Sequence, residues 1–344
     1  MKIRIVAEKF SLDSAVGIER YSYELANGLE SQNYDCVRMA ANPSRRRFSL
    51  ALNAFFKLPT KVFFGRNPSL YHATDPSSAI ALHMATVPTV STVHDLLHFH
   101  DKGFTGRIAR LAYRAAARCD KVIAVSQQTK EDLIEMMNVE PSKIAVTNEG
   151  VADSFHVSRN LKKKTLIAHV GDINPRKRLE LVLEIFAKLQ KLIPEVTLEF
   201  VGSPVASYLI PYQSKLVKMA FQNGIKEVAF SGRVSEQVLV EKYNRIGILL
   251  VTSITEGFCF PILEAQKCGT AVVILKDCRI SPEVKTATII AKDIEDAIHI
   301  CYRLIVDEDY YRKVALNGIA CAKMFTWENC IEQTIEVYKE VLAR

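Results

Sequence analysis

IGILLVTSITEGFCFPILEAQKCGTAVVILK, residues 246–276, decides how the chain folds. The run 246–253 is short and almost wholly apolar, as expected of a strand buried on both faces. PILEAQKC, 261–268, predicts a helix of about two turns, because proline suits a first helical turn and Gly269 a C-terminal stop. AVVILK, 271–276, predicts the next strand. The loop EGFCF thus sits at a helix N-terminus, where backbone N–H groups and the positive end of the dipole receive an anion, phosphate above all. Two carboxylates, Glu256 and Glu264, flank that anion site. They fit there if they hold sugar-type hydroxyls on either side of a diphosphate; the plainer alternative makes Glu264 a complement to the helix dipole and Glu256 a loop surface residue.

The same alternation of β-rich and helical runs fills the rest of the chain. Strand candidates in the first half are 2–7, 36–41, 70–74, 89–95, 121–126 and 143–150. In the second half they are 165–171, 196–202, 228–233, 246–253 and 271–276. Strands alternating with helices predict parallel sheets flanked by helices, and two such sets predict two doubly wound, Rossmann-like α/β domains. SRNLKKK, 158–164, is polar and lacks a hydrophobic period, so the expected division is 1–157, linker 158–164, 165–325 and a final amphipathic helix, 326–344, with Thr326 as N-cap. In such sheets ligands bind beyond the carboxyl ends of the strands, which makes the loops there the place to search. Neither half carries GxGxxG after its first strand or GxxxxGK[ST], which disfavours a nicotinamide dehydrogenase and a P-loop NTPase.

A length of 344 residues suits two domains, and an apolar fraction of 49% with 24% charged residues is that of an ordinary globular protein. MKIRIVAEKF has no uninterrupted apolar core of signal-peptide length, and no later run reaches membrane-spanning length. The eight cysteines are scattered without a CxxC, which predicts neither a disulfide framework nor a zinc site and points to a reducing, cytoplasmic compartment. The net charge of +7 is uneven: 38–121 holds 13 Lys/Arg against 4 Asp/Glu. Within it, 45–66 interleaves bases with aromatics, and Arg107, Arg110, Arg114 and Arg118 recur at helical spacing. An anionic membrane surface is the partner such a region fits, a solvated basic face the alternative. A nucleic-acid partner is not expected, since no RNP, helix-turn-helix or zinc signature is present.

EGFCFPILEAQKCGTA resembles the EGFGLPxLEAxxCGTP signature of the retaining GT-B glycosyltransferases of family 4. VGIERYSYELANGLE, PTVSTVHDLLHF, KVIAVSQQTKEDLIEMMNVEPSKIAVTNEGV, VGDINPRKRLELVLEIFAKL, FSGRVSEQVLVEKYNRIGILLVTSITEGF and MFTWENCIEQTIEVYKEVL resemble its other motifs in order, with the mannosyltransferase-like branch the nearest pattern. The resemblance implies two Rossmann-like domains facing across a cleft, with the final helix crossing back to the first. It implies transfer of a hexose, first of all mannose from GDP-mannose, from a nucleotide diphosphate sugar to a hydroxyl of a sugar or lipid-linked acceptor; if the basic region 38–121 is an acceptor-side feature, that acceptor is a lipid-linked sugar at the inner face of the membrane. Neither cofactor nor metal is implied; Asp307 to Asp309 match a metal-binding DxD only in form.

Residue by residue, the resemblance implies that Glu256 contacts the donor sugar near its reacting carbon and that Glu264 contacts the ribose. Gly257 belongs to the same loop, and the amides of Phe258, Cys259 and Phe260 reach sugar hydroxyls and phosphate. Lys177, with Arg176 beside it after Gly171, neutralises the departing diphosphate. His94 hydrogen-bonds the donor sugar from the first domain, Gly17 lets the backbone approach donor and acceptor, and Arg233 and Val234 lie near the base. Asp172 stands where many members have arginine, and Cys259 where they have glycine. These two departures motivate the alternative of a non-catalytic nucleotide-binding or scaffolding subunit.

Overall fold

The computed structural model describes residues 1–11, 17–40, 57–64, 68–158, 163–225 and 227–343, the side chains of Lys163 and Lys164 excepted. It divides into two compact units, Met1–Gly150 with Phe325–Arg344, and Val151–Met324. Most of the basic stretch 45–66 lies outside the described residues.

In the first unit six parallel strands, β1 (Lys2–Ala7), β2 (Asp35–Ala40), β3 (Leu70–Ala73), β4 (Thr89–Val93), β5 (Lys121–Ala124) and β6 (Ile144–Val146), lie in the order β2-β1-β3-β4-β5-β6. Strand order reverses between β1 and β3, which opens a crevice at their carboxyl ends. β3 and β5 are buried at every residue, as strands covered on both faces must be. The last helix, Trp327–Leu342, belongs to this unit. The Thr326 side chain caps it by accepting from the Asn329 amide, and Ile331, Ile335, Val337, Tyr338 and Val341 form its buried stripe. Tyr338 Oη lies 2.6 Å from His72 Nδ1, and His72 Nε2 lies 2.8 Å from Thr92 Oγ1, so the helix is tied to β3 and β4 through a fully buried polar chain.

In the second unit the strands are β7 (Lys163–Val170), β8 (Thr197–Val201), β9 (Val228–Gly232), β10 (Ile246–Val251), β11 (Ala271–Leu275) and β12 (Ile289–Ala291), all parallel, in the order β12-β11-β10-β7-β8-β9. β7 begins at Lys163, inside the segment expected as linker. β12 was not among the sequence candidates, because three residues are too few to show a period. Every residue of β10 is buried, which accounts for its wholly apolar sequence. Here the order reverses between β7 and β10, so the loops after these two strands meet at the switch point.

Candidate active site

The loop after β7 runs from Gly171 through a single 3-10 turn, Pro175–Lys177, into the helix Leu179–Leu192. Gly171 has φ +135°, and a Cβ there would meet His169 and Lys177 at ordinary contact distance. The backbone of Gly171 is also pressed against Gly202 at the end of β8, where a Cβ would come within 1.9 Å of the Gly171 carbonyl oxygen. Two glycines therefore bring the ends of β7 and β8 together. Arg178 clamps the loop from the other side: Nε donates to the Thr252 carbonyl at 2.6 Å and the guanidinium grips Asp277 at 2.5 and 2.8 Å.

The loop after β10 is pinned by backbone bonds, Ile254 N to Arg176 O and Glu256 N to Arg279 O, both 2.9 Å. This directs Glu256 at the β7 loop. Lys177 Nζ lies 2.6 Å from Oε1 of Glu256, and Arg176 Nη1 lies 3.0 Å from Oε2 while also donating to the Thr255 carbonyl. Glu256 and Lys177 are 8% and 7% exposed. Burial alone would raise the Glu256 pKa, but Lys177 and then Arg176 outweigh it and hold the carboxyl at about 2. The result is a buried carboxylate carrying two cations. Asp172, next to Gly171, faces the same two cations and also Arg233, so three cations meet two carboxylates there, a surplus that suits an incoming anion.

The helix after Glu256 spans Phe260–Lys267, with Pro261 in its first turn, and no side chain caps its N-terminus. Its N-cap, Cys259, adopts a left-handed conformation, φ 66° and ψ 61°. A β-carbon is strained there, which explains why the family pattern has glycine at this place. Phe258 is buried and packs edge-on against Phe260, while Gly257 leads into the turn. Glu264, one turn into the helix, is 8% exposed and accepts from Tyr243 Oη at 2.9 Å. Arg233 is exposed and Val234 half-buried in the loop after β9.

In the first unit, His94 follows β4. Its Nε2 lies 2.9 Å from the Thr74 carbonyl oxygen and its Nδ1 3.0 Å from Glu149 Oε1. Burial would lower its pKa, but the Glu149 charge and hydrogen bond raise it above the ordinary value. Both nitrogens are thus engaged within the unit, and a substrate contact requires one of them to be exchanged. Gly17 opens the helix Gly17–Ser31. Asp307 caps the helix Glu308–Ala322 by accepting from the Tyr310 amide at 2.9 Å, a helix-capping role.

Lys177, Arg176, Glu256 and Gly171 therefore converge in the second unit, with Glu264 and the 258–260 turn on the following helix. Sequence reasoning passed over several neighbours. His169 is buried beside Lys177, with the backbone of Leu250 and Asp172 facing its ring. Glu149 lies under His94. Glu8, at the end of β1, is pushed up to about 7 by burial and then by Asp75. For Gly202 a signal existed, since VG ends both β7 and β8; for the other three, only tertiary proximity could reveal them.

Residues 152–315 match the family profile for glycosyl transferases group 1, and residues 16–155 match that for glycosyltransferase family 4. Among curated relatives, the serotype-specific mannosyltransferase WbdA of Escherichia coli is 24% identical over 309 residues, covering 80% of this chain but only 36% of the relative. The chain thus spans about a third of that relative's length. The O-antigen chain mannosyltransferase B of Escherichia coli is 26% identical over 271 residues, covering 73% of this chain and 70% of the relative. Among solved structures, HepE of Anabaena in complex with UDP superposes with a TM-score of 0.74 at 20% identity, covering 99% of this chain and 100% of that one. The two six-stranded parallel sheets with their switch points, and this superposition, are those of the GT-B fold. By the two profile matches, which together span residues 16–315, the chain belongs to the group 1, family 4 glycosyltransferases.

Proposed function

We propose that the protein transfers a hexose, mannose in the first instance, from a nucleotide diphosphate sugar to an acceptor hydroxyl, with retention of configuration and without a metal. The observation that carries this reading is the Arg176–Lys177–Glu256 cluster under Gly171, beside the uncapped start of the Phe260–Lys267 helix. Breaking a glycosyl phosphate bond places positive charge on the sugar ring and negative charge on the departing diphosphate. Fixed donors aimed at the phosphates lower that barrier, and two cations with a helix N-terminus supply them. Lys177 holds the diphosphate, Glu256 stays ionised to face the sugar, and Glu264 accepts from the ribose. The names of the mannosyltransferase relatives favour mannose, with GDP-mannose the first donor to try.

The acceptor side is read from the first unit. On the helix Gly103–Arg118, Phe104, Arg107, Leu111, Arg114 and Arg118 share one exposed face, and exposed Phe63 and Phe64 end a helix that packs on the neighbouring turn Ile80–Met84. A stripe of aromatic and guanidinium groups fits an anionic lipid surface and hence a lipid-linked acceptor. Among the described residues no helix is long and apolar enough to cross a membrane.

A panel of nucleotide sugars, followed for slow hydrolysis and for transfer, tests the reading with Glu256→Ala and Lys177→Ala alongside. Turnover by the wild-type protein and its loss in both variants is expected. Binding of nucleotide without turnover of any donor would favour the scaffolding alternative, to which Asp172 and Cys259 point.

A further inference from the structure

The contacts of His94 fix the proton count of the pair it forms with Glu149. Nε2 faces the carbonyl oxygen of Thr74, which only accepts, so Nε2 carries a hydrogen. Nδ1 faces the Glu149 carboxylate, which also accepts when ionised. The 3.0 Å contact therefore needs a proton between Nδ1 and Oε1, and the pair holds one proton more than a separate neutral imidazole and carboxylate would. Water has little access to it, since His94 is 8% and Glu149 2% exposed. The other groups facing the pair are Asp95 next in the chain, His72 on β3, Tyr21 edge-on at 5.0 Å, and Cys330 on the last helix. Of these, His72 is held neutral by burial and then by His94 itself, and burial raises the Tyr21 and Cys330 groups out of their titrating range. Glu149 is held in place by the next residue: a Cβ on Gly150 would come within 2.3 Å of the Trp327 amide nitrogen, so the loop after β6 is pressed against the start of the last helix.

We propose that Glu149 is a positioning residue that keeps a second proton on His94, fixing Nε2–H as a hydrogen-bond donor that exchanges the Thr74 carbonyl for a hydroxyl of the substrate sugar. This rests on the transferase reading for its substrate, but the protonation itself does not. His94 then works as a donor over the ordinary pH range, with no free nitrogen to act as a base.

The variant Glu149→Gln separates charge from shape, because a glutamine amide can donate to a neutral Nδ1 while Nε2–H still meets Thr74. The first measurement is 15N NMR of histidine-labelled full-length protein at pH 7.5, with His94 assigned by its loss in His94→Asn. Both His94 nitrogens are expected to be protonated in the wild type, and only Nε2 in Glu149→Gln. The second is the pH profile of transfer from whichever donor the wild type accepts. In Glu149→Gln, kcat/KM is expected to fall about tenfold or more at pH 8 and to recover toward wild type only in acid, below the ordinary histidine range, because burial without the Glu149 charge lowers the pKa of the ring. A merely structural loss would not be rescued by acid. A neutral His94 ring in the wild type at pH 7.5, or profiles of the two proteins that run parallel, overturns the proposal. If Glu149→Gln does not fold, the wild-type spectrum decides alone; if the wild type turns over no donor, the transferase reading fails while the spectrum still decides the role of Glu149.

Discussion

Lys177 Nζ and Glu256 Oε1 stand 2.6 Å apart although 79 residues separate them in the chain. They meet because β7 and β10 are neighbours in the sheet while strand order reverses between them, which places the two following loops at one switch point. Removing the ammonium leaves Glu256 buried with Arg176 alone. Lys177→Met is expected to lower transfer by about 10²- to 10³-fold, the range found when one preorganised electrostatic donor is lost. Steady-state kinetics on the best donor checks this.

The same pair sets an acid limb in stability. Glu256 is held at about 2, below its usual 4.5, so its ionised form is favoured in the native state. Its stabilisation, on the order of 3 kcal/mol, is therefore complete above about pH 4.5 and lost as pH falls through about 2. Urea denaturation at a series of pH values is expected to show that limb in the wild type and a shallower one in Lys177→Met.

Cys259 occupies left-handed backbone, φ 66°, where a β-carbon costs about 1–2 kcal/mol. Glycine removes that strain but gives back part of it through a freer unfolded chain. Cys259→Gly is expected to stabilise by up to about 1 kcal/mol, read as a rise in Tm with nucleotide affinity retained.

His169 is a buried imidazole pushed down to about 3 by burial and then by Lys177, hence neutral at pH 7. In the unfolded chain the ring titrates at about 6.5, so the unfolded state takes up the proton first and stability falls as pH drops from about 6.5 toward 3. His169→Leu is expected to flatten that part of the pH dependence in denaturant titrations. An unchanged profile would mean that the ring is protonated in the native state.

The exposed stripe of Phe104, Arg107, Leu111, Arg114 and Arg118 is expected to bring the protein down with anionic liposomes at low salt and to release it at high salt. Charge reversal in Arg107→Glu with Arg114→Glu is expected to abolish co-sedimentation without changing the fold. Absence of binding by the wild type at low salt would remove the membrane from the account.

Much of this architecture could be read in advance because its signals are local. The apolar run of β10, Pro261 and Gly269 around a two-turn helix, and Thr326 before an apolar stripe each follow from short-range rules, and all three features appear in the structure. The side-chain pairings were not legible. Nothing in VGDINPRKR distinguishes Lys177, turned inward to Glu256, from Arg178, turned away to Asp277; the left-handed backbone at Arg178 makes that choice, and it depends on the loops packed around it. Glu149 and His169 were invisible for a similar reason, since a carboxylate in a loop and a histidine in a strand acquire meaning only from what the fold sets beside them. β12 escaped because Ile289–Ala291 is too short to carry a pattern.

The most direct test is a crystal structure of the protein soaked with GDP or UDP. Diphosphate density against Gly171, Lys177 and the backbone of 258–260, with the ribose beside Glu264, is the predicted result. Density elsewhere, with Lys177 still paired to Glu256 and this corner of the second unit vacant at saturating nucleotide, would contradict the account.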